Sequence, residues 1–256
     1  MLGDPRVSAC LVLYESTATV GSTARCIAKS EEKIELYVVD NKPQSRAFEA
    51  VRIHCPDAHY FPQKRNLGFG RGNNIVLPML KSQYHLLINP DIMFEPDLIK
   101  QMVAYMDAHP DVVILSPKVF NRDGTEQLLP RKRPSVRYLM GGLFEHSGER
   151  FRQWRADYTM AGEQITEPID VDFATGCFLL IRTHAFRRLK GFDPRYFLYL
   201  EDSDLSLKAL REGRIVYHPD MHVVHDWHRD SAHHLKQRIW HITSALKFFW
   251  KWGLRW

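Results

Sequence analysis

The stretch Tyr84–Ile88 reads as a short buried strand that stops at Asn89-Pro90-Asp91. An isolated aspartate at a strand end ordinarily caps the next helix or sits in a solvated turn. Here the next helical pattern starts only beyond Met93 and Phe94. A carboxylate on so rigid a support suits Mg²⁺ or Mn²⁺ shared with substrate phosphates, because such ions take only one or two protein carboxylates. Asp91 is therefore the first candidate ligand.

A second stretch, Asn66–Asn74 (NLGFGRGNN), has glycines at alternate positions that let the backbone pass close to a partner. It lacks G-x-G-x-x-G spacing and does not follow the first strand, so it is a poor dinucleotide fingerprint. Arg71 and the asparagines at a helix start suit a nucleotide or phosphate as well as they suit a simple glycine-rich turn. Third, Glu201 and Asp202 begin a helix directly after the aromatic run Tyr196-Phe197-Leu198-Tyr199. Acids in a first helical turn commonly answer the helix dipole, which suffices for Asp204. A carboxylate beside apolar rings gains proton affinity, as a general base requires. Fourth come the histidines at 218, 222, 225 and 228. On an extended strand His222 and His225 point to opposite faces, so a closed zinc site from these alone is not expected. One histidine joining Asp91 on a shared metal is more economical.

These residues need a scaffold. Val7–Tyr14 and Ile34–Asp40 are near-continuous apolar strands, Asp40 ends the second, and Ala58–Gln63 is a weaker third. Helical patterns run from about Thr17 to Ser30, Ser45 to His54, Gly70 to Leu80 (shortened by Pro78) and Pro96 to Ala108. Alternating apolar strands and helices predict an α/β fold with a mostly parallel central sheet covered on both faces. Ligands of such sheets lie beyond the carboxyl ends of the strands, where Asp40 and Asp91 both sit. Farther on, Val112–Phe120 is a strand before a turn at Asn121–Gly124. Ile169–Arg182 has strand character, Glu201–Gly213 is an amphipathic helix, and two short strands precede a last helix over about 232–252.

With 45% apolar and 25% charged residues the chain is ordinary globular material. Its four scattered cysteines form no C-x-x-C pair, which fits a reducing compartment. There is no leader pattern at the N-terminus and no apolar run long enough to span a bilayer. The net charge of +5 is concentrated at Arg131-Lys132-Arg133 with Arg137 and in the last helix. Basic residues follow no recognisable nucleic-acid module, so nucleic acid is not an expected partner.

The pieces VVDN, NLGFGRGNN, INPD, TGCFLLIR, GFDPRYFLYLEDSDLSLKALREG and VVHDWHRDS, in this order, resemble the family-2 glycosyltransferases of GT-A fold. They are most similar to the bacterial rhamnosyltransferase-like branch that builds surface polysaccharides such as O-antigen. The resemblance implies an inverting, metal-dependent transferase using a nucleotide-sugar donor, with dTDP-rhamnose the best candidate, and a glycan or lipid-linked saccharide acceptor. It implies that Asp202, of the pair with Glu201, is the base. Asp91 and His225 would hold Mg²⁺ or Mn²⁺. Asn89 stands where the family often has a further aspartate, which lowers the negative charge there. Tyr14, Asp40, Asn66, Gly68, Arg71 and Asn89 would line the nucleotide side with Asp91.

The resemblance divides the chain into a catalytic domain over 1–230, with a donor half to about 120 and an acceptor half beyond it, and an amphipathic C-terminal helix over 231–256. In that helix Leu235, Ile239, Ile242, Leu246 and Phe249 recur at helical spacing among Lys, Arg and Trp. It fits either a helix packed on the core or one lying on an anionic membrane, with Trp250–Trp256 favouring the membrane. The expected location is the cytoplasm or the periphery of the inner face of the cell membrane. Two other readings use the same residues. A sugar-phosphate nucleotidyltransferase would want a lysine-bearing glycine loop after the first strand, which Tyr14–Arg25 is not. A catalytically silent nucleotide-sugar or glycan-binding subunit would have no need of Asp91, Asp202 and His225 together.

Overall fold

Every residue of Val7–Leu13 is buried, and alternate side chains serve opposite faces of a sheet. A computed structural model describes residues 5–16, 18–129, 131–226 and 235–256, with side chains of the last segment described from Ile239 onward. The chain runs β1 (Val7–Leu13), α1 (Val20–Lys29), β2 (Ile34–Asp40), α2 (Ala47–His54), β3 (His59–Pro62), α3 (Phe69–Val76), β4 (Tyr84–Ile88) and β5 (Ile92–Met93). It continues through α4 (Leu98–Ala108), β6 (Val112–Phe120), α5 (Val136–Leu143), α6 (Glu149–Thr159), β7 (Ile169–Asp170), β8 (Phe178–Arg182) and α7 (Thr183–Arg188). It closes with α8 (Glu201–Ala209), β9 (Arg214–His225) and α9 (Leu235–Trp252).

The strands form one sheet in the order β3-β2-β1-β4-β8-β6-β9-β5, with β7 paired to β9. β3, β2, β1 and β4 are mutually parallel, as is the long β6–β9 pair. β8 runs antiparallel between β4 and β6. Its sequence, FLLIR, looks like a parallel strand because burial on both faces, not direction, makes a strand apolar throughout. α1, α2 and α4 pack on the face reached by Ala9, Leu11 and Leu13. α3, α7 and α8 pack on the face reached by Cys10 and Val12.

The stretch Ile169–Arg182 is not one strand. It is strand only at β7 and β8, and the break over residues 171–177 between them includes Thr175-Gly176-Cys177. The two short strands expected near the end are one, β9, with a register shift against β6 between Pro117 and Lys118. β5 carries no pattern of its own. It forms because Ile92 and Met93 pair with His225 and Val224.

α9 packs on the core, as one of the two expected readings has it, and leaves an apolar stripe exposed on another face. Phe248 is 1% exposed against Tyr196, Leu200 and Leu207, a burial worth about 2–3 kcal/mol. Ser244 Oγ donates to Leu198 O at 2.8 Å. Lys251 Nζ reaches Asp204 Oδ1 at 2.7 Å and Asp193 Oδ2 at 2.9 Å, and Trp252 Nε1 donates to Asp204 Oδ1 at 2.7 Å. Ile239, Ile242, Leu246, Trp250 and Leu254 face outward. The apolar stripe read from the sequence is thus chiefly the outer face, while Phe248 and Trp252 supply the docking.

Candidate active site

The carboxyl ends of β1, β2 and β4 form one rim. Tyr14 follows β1 and is half exposed. Asp40 closes β2 and is fully buried, its carboxylate accepting from Lys42 N at 2.9 Å and from the Tyr60 hydroxyl at 3.1 Å. Asn41 Oδ1 accepts from Leu67 N at 3.1 Å, and Asn66 Oδ1 from Gly68 N at 2.8 Å, so the loop before α3 is fastened to the end of β2. Sequence reasoning met Asn41 only as the end of VVDN, with no role of its own, and did not single out Lys42, which pairs with Glu15 and lies 5.9 Å from the centre of the Tyr14 ring.

α3 starts at Phe69, capped by Gly68, rather than at Gly70. Its glycines are spacers of a particular kind. A Cβ on Gly72 would come within 2.7 Å of Val12 Cγ1, and one on Gly70 within 2.9 Å of Phe192 Cβ. Asn74 clamps Phe192 from both sides, donating to its O at 2.7 Å and accepting from its N at 2.8 Å. Arg71 Nε donates to Pro194 O at 2.5 Å. The glycine motif thus presses this rim against the loop 192–200 that leads into α8.

That loop ends in Tyr199 and Leu200, both at positive φ (69° and 61°), a strained turn for residues with side chains. It delivers Glu201 and Asp202 to the first turn of α8, where the helix dipole favours negative charge. Asp202 Oδ2 accepts from Gly176 N at 3.2 Å and its Oδ1 from Ser203 N at 2.8 Å. A Cβ on Gly176 would sit 3.2 Å from Phe69 Cε1 and 3.3 Å from Asp202 Cβ, so α3, the β7–β8 break and α8 meet there. Burial pushes the Glu201 carboxyl up to about 8, with the charge of Asp202 adding to the effect. Burial raises Asp202 too, opposed by its backbone N–H donors. Glu201 Oε2 is buried and accepts no hydrogen bond among the described residues. Burial thus raises the proton affinity of both carboxyls, while the Gly176 and Ser203 N–H groups favour the ionised form of Asp202. Tyr158 of α6, stacked on Tyr138 with ring centres 5.0 Å apart, walls this region and feels the charge of Asp202.

Asp91 joins the same region through the other side of the β7–β8 break. Asn89 N donates to Cys177 O at 2.8 Å, and Thr23 Oγ1 of α1 holds Pro90 O at 2.9 Å. Burial pushes the Cys177 thiol up to about 12, and the charges of Asp91 and Asp202 both raise it further. The two carboxylates thus flank one loop. The β5–β9 pair sets His225 beside Asp91, with Nε2 3.2 Å from Oδ1, while Asp226 N donates to Asp91 O at 2.9 Å. His222 faces outward and His225 inward, as alternation requires. The remaining motif, from Trp227 to Ser231, lies outside the described residues.

Asp91 and His225 suit a hard divalent ion that keeps other positions for phosphate and water. An octahedral ion with bonds of ~2.1 Å spaces neighbouring donors about 3 Å apart, close to the separation found. Asp91 Oδ1 is buried and, among the described residues, has no hydrogen-bond donor, so it has capacity for a cation. Among the described residues no group of three or more His, Cys, Asp or Glu side chains could enclose a metal without substrate oxygens.

A model of "Glycosyl transferase family 2" matches residues 8–190. The chain is 26% identical over 251 residues to "N-acetylglucosaminyl-diphospho-decaprenol L-rhamnosyltransferase" of Mycobacterium tuberculosis, covering 89% of this chain and 80% of the relative. It is 28% identical over 231 residues to "Rhamnosyltransferase WbbL" of Escherichia coli strain K12, covering 85% and 83%. Among solved structures, the mannosyltransferase PcManGT from Pyrobaculum calidifontis, in complex with GDP-Man and Mn²⁺, superposes with a TM-score of 0.64 at 16% identity. That match covers 98% of this chain and 64% of the other. S. aureus TarS 1–349 gives 0.59 at 15% identity, with 86% of this chain and 60% of the other covered. At such identities these structures speak to the fold alone, and the chain spans less than two thirds of either.

Proposed function

The chain belongs to glycosyltransferase family 2, and on that premise we propose that it moves L-rhamnose from dTDP-rhamnose to a hydroxyl of a glycan or lipid-linked saccharide, inverting the anomeric carbon. The names of the mycobacterial and Escherichia coli relatives support the sugar, and the mycobacterial name supports a lipid-linked acceptor. The reading rests on one observation: Thr175-Gly176-Cys177 holds Asp202 on one side and the strand end bearing Asp91 on the other.

Asp202 takes the proton of the acceptor hydroxyl as its oxygen attacks the anomeric carbon, while the bond from that carbon to the diphosphate breaks. Glu201 stays protonated beside it and adds no second charge that would hinder its ionisation. Asp91 and His225 would hold Mg²⁺ or Mn²⁺, which would supply positive charge to offset that of the departing diphosphate. Tyr14 offers an exposed ring at the rim for the base, Asn66 and Gly68 shape the loop beneath, and Arg71 and Asn89 border the phosphates. Asp40 acts chiefly by fixing the Asn41-Lys42 turn.

Residues 1–230 form the catalytic domain, donor side first, and 231–256 the extension. Among the described residues no helix is long and apolar enough to cross a membrane. The outward stripe of α9, with Lys247 and Arg195 at its border, suits the anionic inner face of a cell membrane, where a lipid-linked acceptor would be met.

Thermal shift with Mn²⁺ and a panel of dTDP-rhamnose, UDP-N-acetylglucosamine and GDP-mannose tests the reading. dTDP-rhamnose should stabilise most and release dTDP slowly without acceptor. Stabilisation without release would instead identify a silent binding subunit.

A further inference from the structure

We infer that Gln127 is a positioning residue that fixes His225 as the Nδ1–H tautomer and so keeps its Nε2 lone pair turned toward Asp91. Gln127 is 6% exposed and follows the turn after β6. Its Nε2 donates to the backbone carbonyl of His225 at 3.1 Å and to Asn121 Oδ1 at 2.8 Å. A carbonyl oxygen only accepts, so the amide nitrogen must face it and the amide oxygen must face the other way. That oxygen lies 3.1 Å from His225 Nδ1. An amide oxygen also only accepts, so Nδ1 must carry a proton.

The orientation is set from farther out as well. Asp123, an exposed carboxylate, accepts from the Thr125 hydroxyl at 2.6 Å and from Thr125 N at 2.9 Å. With its proton so committed, Thr125 Oγ1 accepts from Asn121 Nδ2 at 2.9 Å. Asn121 is thereby turned with its oxygen toward Gln127. The side-chain donors of the series His225, Gln127, Asn121, Thr125 each point to the next, from the histidine to a surface anion, while Gln127 also holds the His225 carbonyl. The turn Asn121–Gly124, read in the sequence only as a turn, is the outer end of this relay.

The consequence falls on the far side of the ring. In the neutral Nδ1–H form, Nε2 presents a lone pair to Asp91 Oδ1 at 3.2 Å. Two facing lone pairs call for a cation between them, and hydrogen bonds behind a ligating histidine orient it for that task. This rests on the metal reading proposed above. It adds that a neutral amide, neither ligand nor substrate contact, selects the ligand's protonation geometry.

The test reads the tautomer directly. Long-range ¹H–¹⁵N spectra of ¹⁵N-histidine protein without metal should give His225 as Nδ1–H, and an Nε2–H wild type overturns the inference with no variant needed. Gln127→Leu, nearly isosteric, should let Nε2–H appear and weaken Mn²⁺ binding, read by electron paramagnetic resonance with dTDP present, by about tenfold or more. Gln127→Glu keeps an acceptor opposite Nδ1 and should retain both the Nδ1–H signature and most of the affinity. A Gln127→Leu protein with wild-type tautomer or wild-type Mn²⁺ affinity overturns the inference. Unchanged Mn²⁺ affinity in Asp91→Ala overturns the metal reading instead, and is distinguishable because the tautomer is read without metal.

Discussion

Gly68 and Phe197 touch backbone to backbone: a Cβ on Gly68 would lie 2.1 Å from the Phe197 carbonyl oxygen. The contact joins the start of α3 to the loop that delivers Glu201 and Asp202. Gly68 also has φ +81°, so two constraints coincide there. Gly68→Ala should lose transfer activity and at least twice the stability lost by Gly124→Ala. The latter has a similar φ but open space around it and should cost about 1 kcal/mol. Urea unfolding of both variants checks the ratio.

Asp202→Asn should lower transfer by roughly 10²–10⁴-fold, the usual contribution of a general base. Nucleotide affinity, measured by calorimetry with Mn²⁺, should stay near wild type, because in the proposed mechanism Asp202 serves the acceptor hydroxyl. Wild-type turnover in this variant would remove Asp202 from the role.

Glu201 imposes a pH slope on stability. Its folded carboxyl titrates near 8 against an ordinary 4.5, so between those values the folded state holds a proton that the unfolded chain has released. Stability contributed by the neutral form is full below about 4.5 and is lost as pH rises through 8. The Tm should fall from pH 6 to pH 8.5, and Glu201→Gln should flatten that fall. An equally steep fall in the variant would assign the slope elsewhere.

Lys251 is the principal countercharge of Asp204, which is fully buried. Lys251→Met leaves that carboxylate with the Trp252 indole and the more distant Lys208 ammonium at 3.9 Å, and should cost about 3 kcal/mol. Lys247→Met, whose ammonium lies at the surface, should cost less than about 0.5 kcal/mol. Denaturant midpoints of the two separate docking from surface charge.

Deleting residues 247–256 would remove Phe248, Lys251 and Trp252 and so unseat α9. Membrane contact is better tested by Leu246→Ser with Trp250→Ser, since Trp250 is 82% exposed. The double variant should keep its Tm and lose co-sedimentation with anionic vesicles. Sedimentation equal to wild type would argue that the stripe has another occupant.

Much of the scaffold was legible because burial writes itself into composition. Val7–Leu13, Ile34–Asp40 and Tyr84–Ile88 could hardly be anything but inner strands. The direction of β8 was not legible, since an apolar strand reads the same either way. Nor was β5, whose two residues become a strand only by pairing with β9. The motifs named the acids, but not what joins them: Gly176 and Cys177 act through backbone groups that leave no side-chain trace. Gln127 was invisible for a similar reason, a lone amide whose meaning depends on a partner 98 positions away. In α9 the periodicity was right, yet period alone cannot say which face meets the core.

The sheet order has a practical outcome for anyone wishing to alter specificity by exchanging segments between relatives. β8 comes from the second half of the chain, yet it is wedged between β4 and β6, both from the first. A graft that swaps everything after residue 120 must therefore bring a strand whose two neighbours belong to the host. Chimaeras of this enzyme should tolerate replacement of α5 and α6 far better than any crossover that separates β8 from the strands on either side of it.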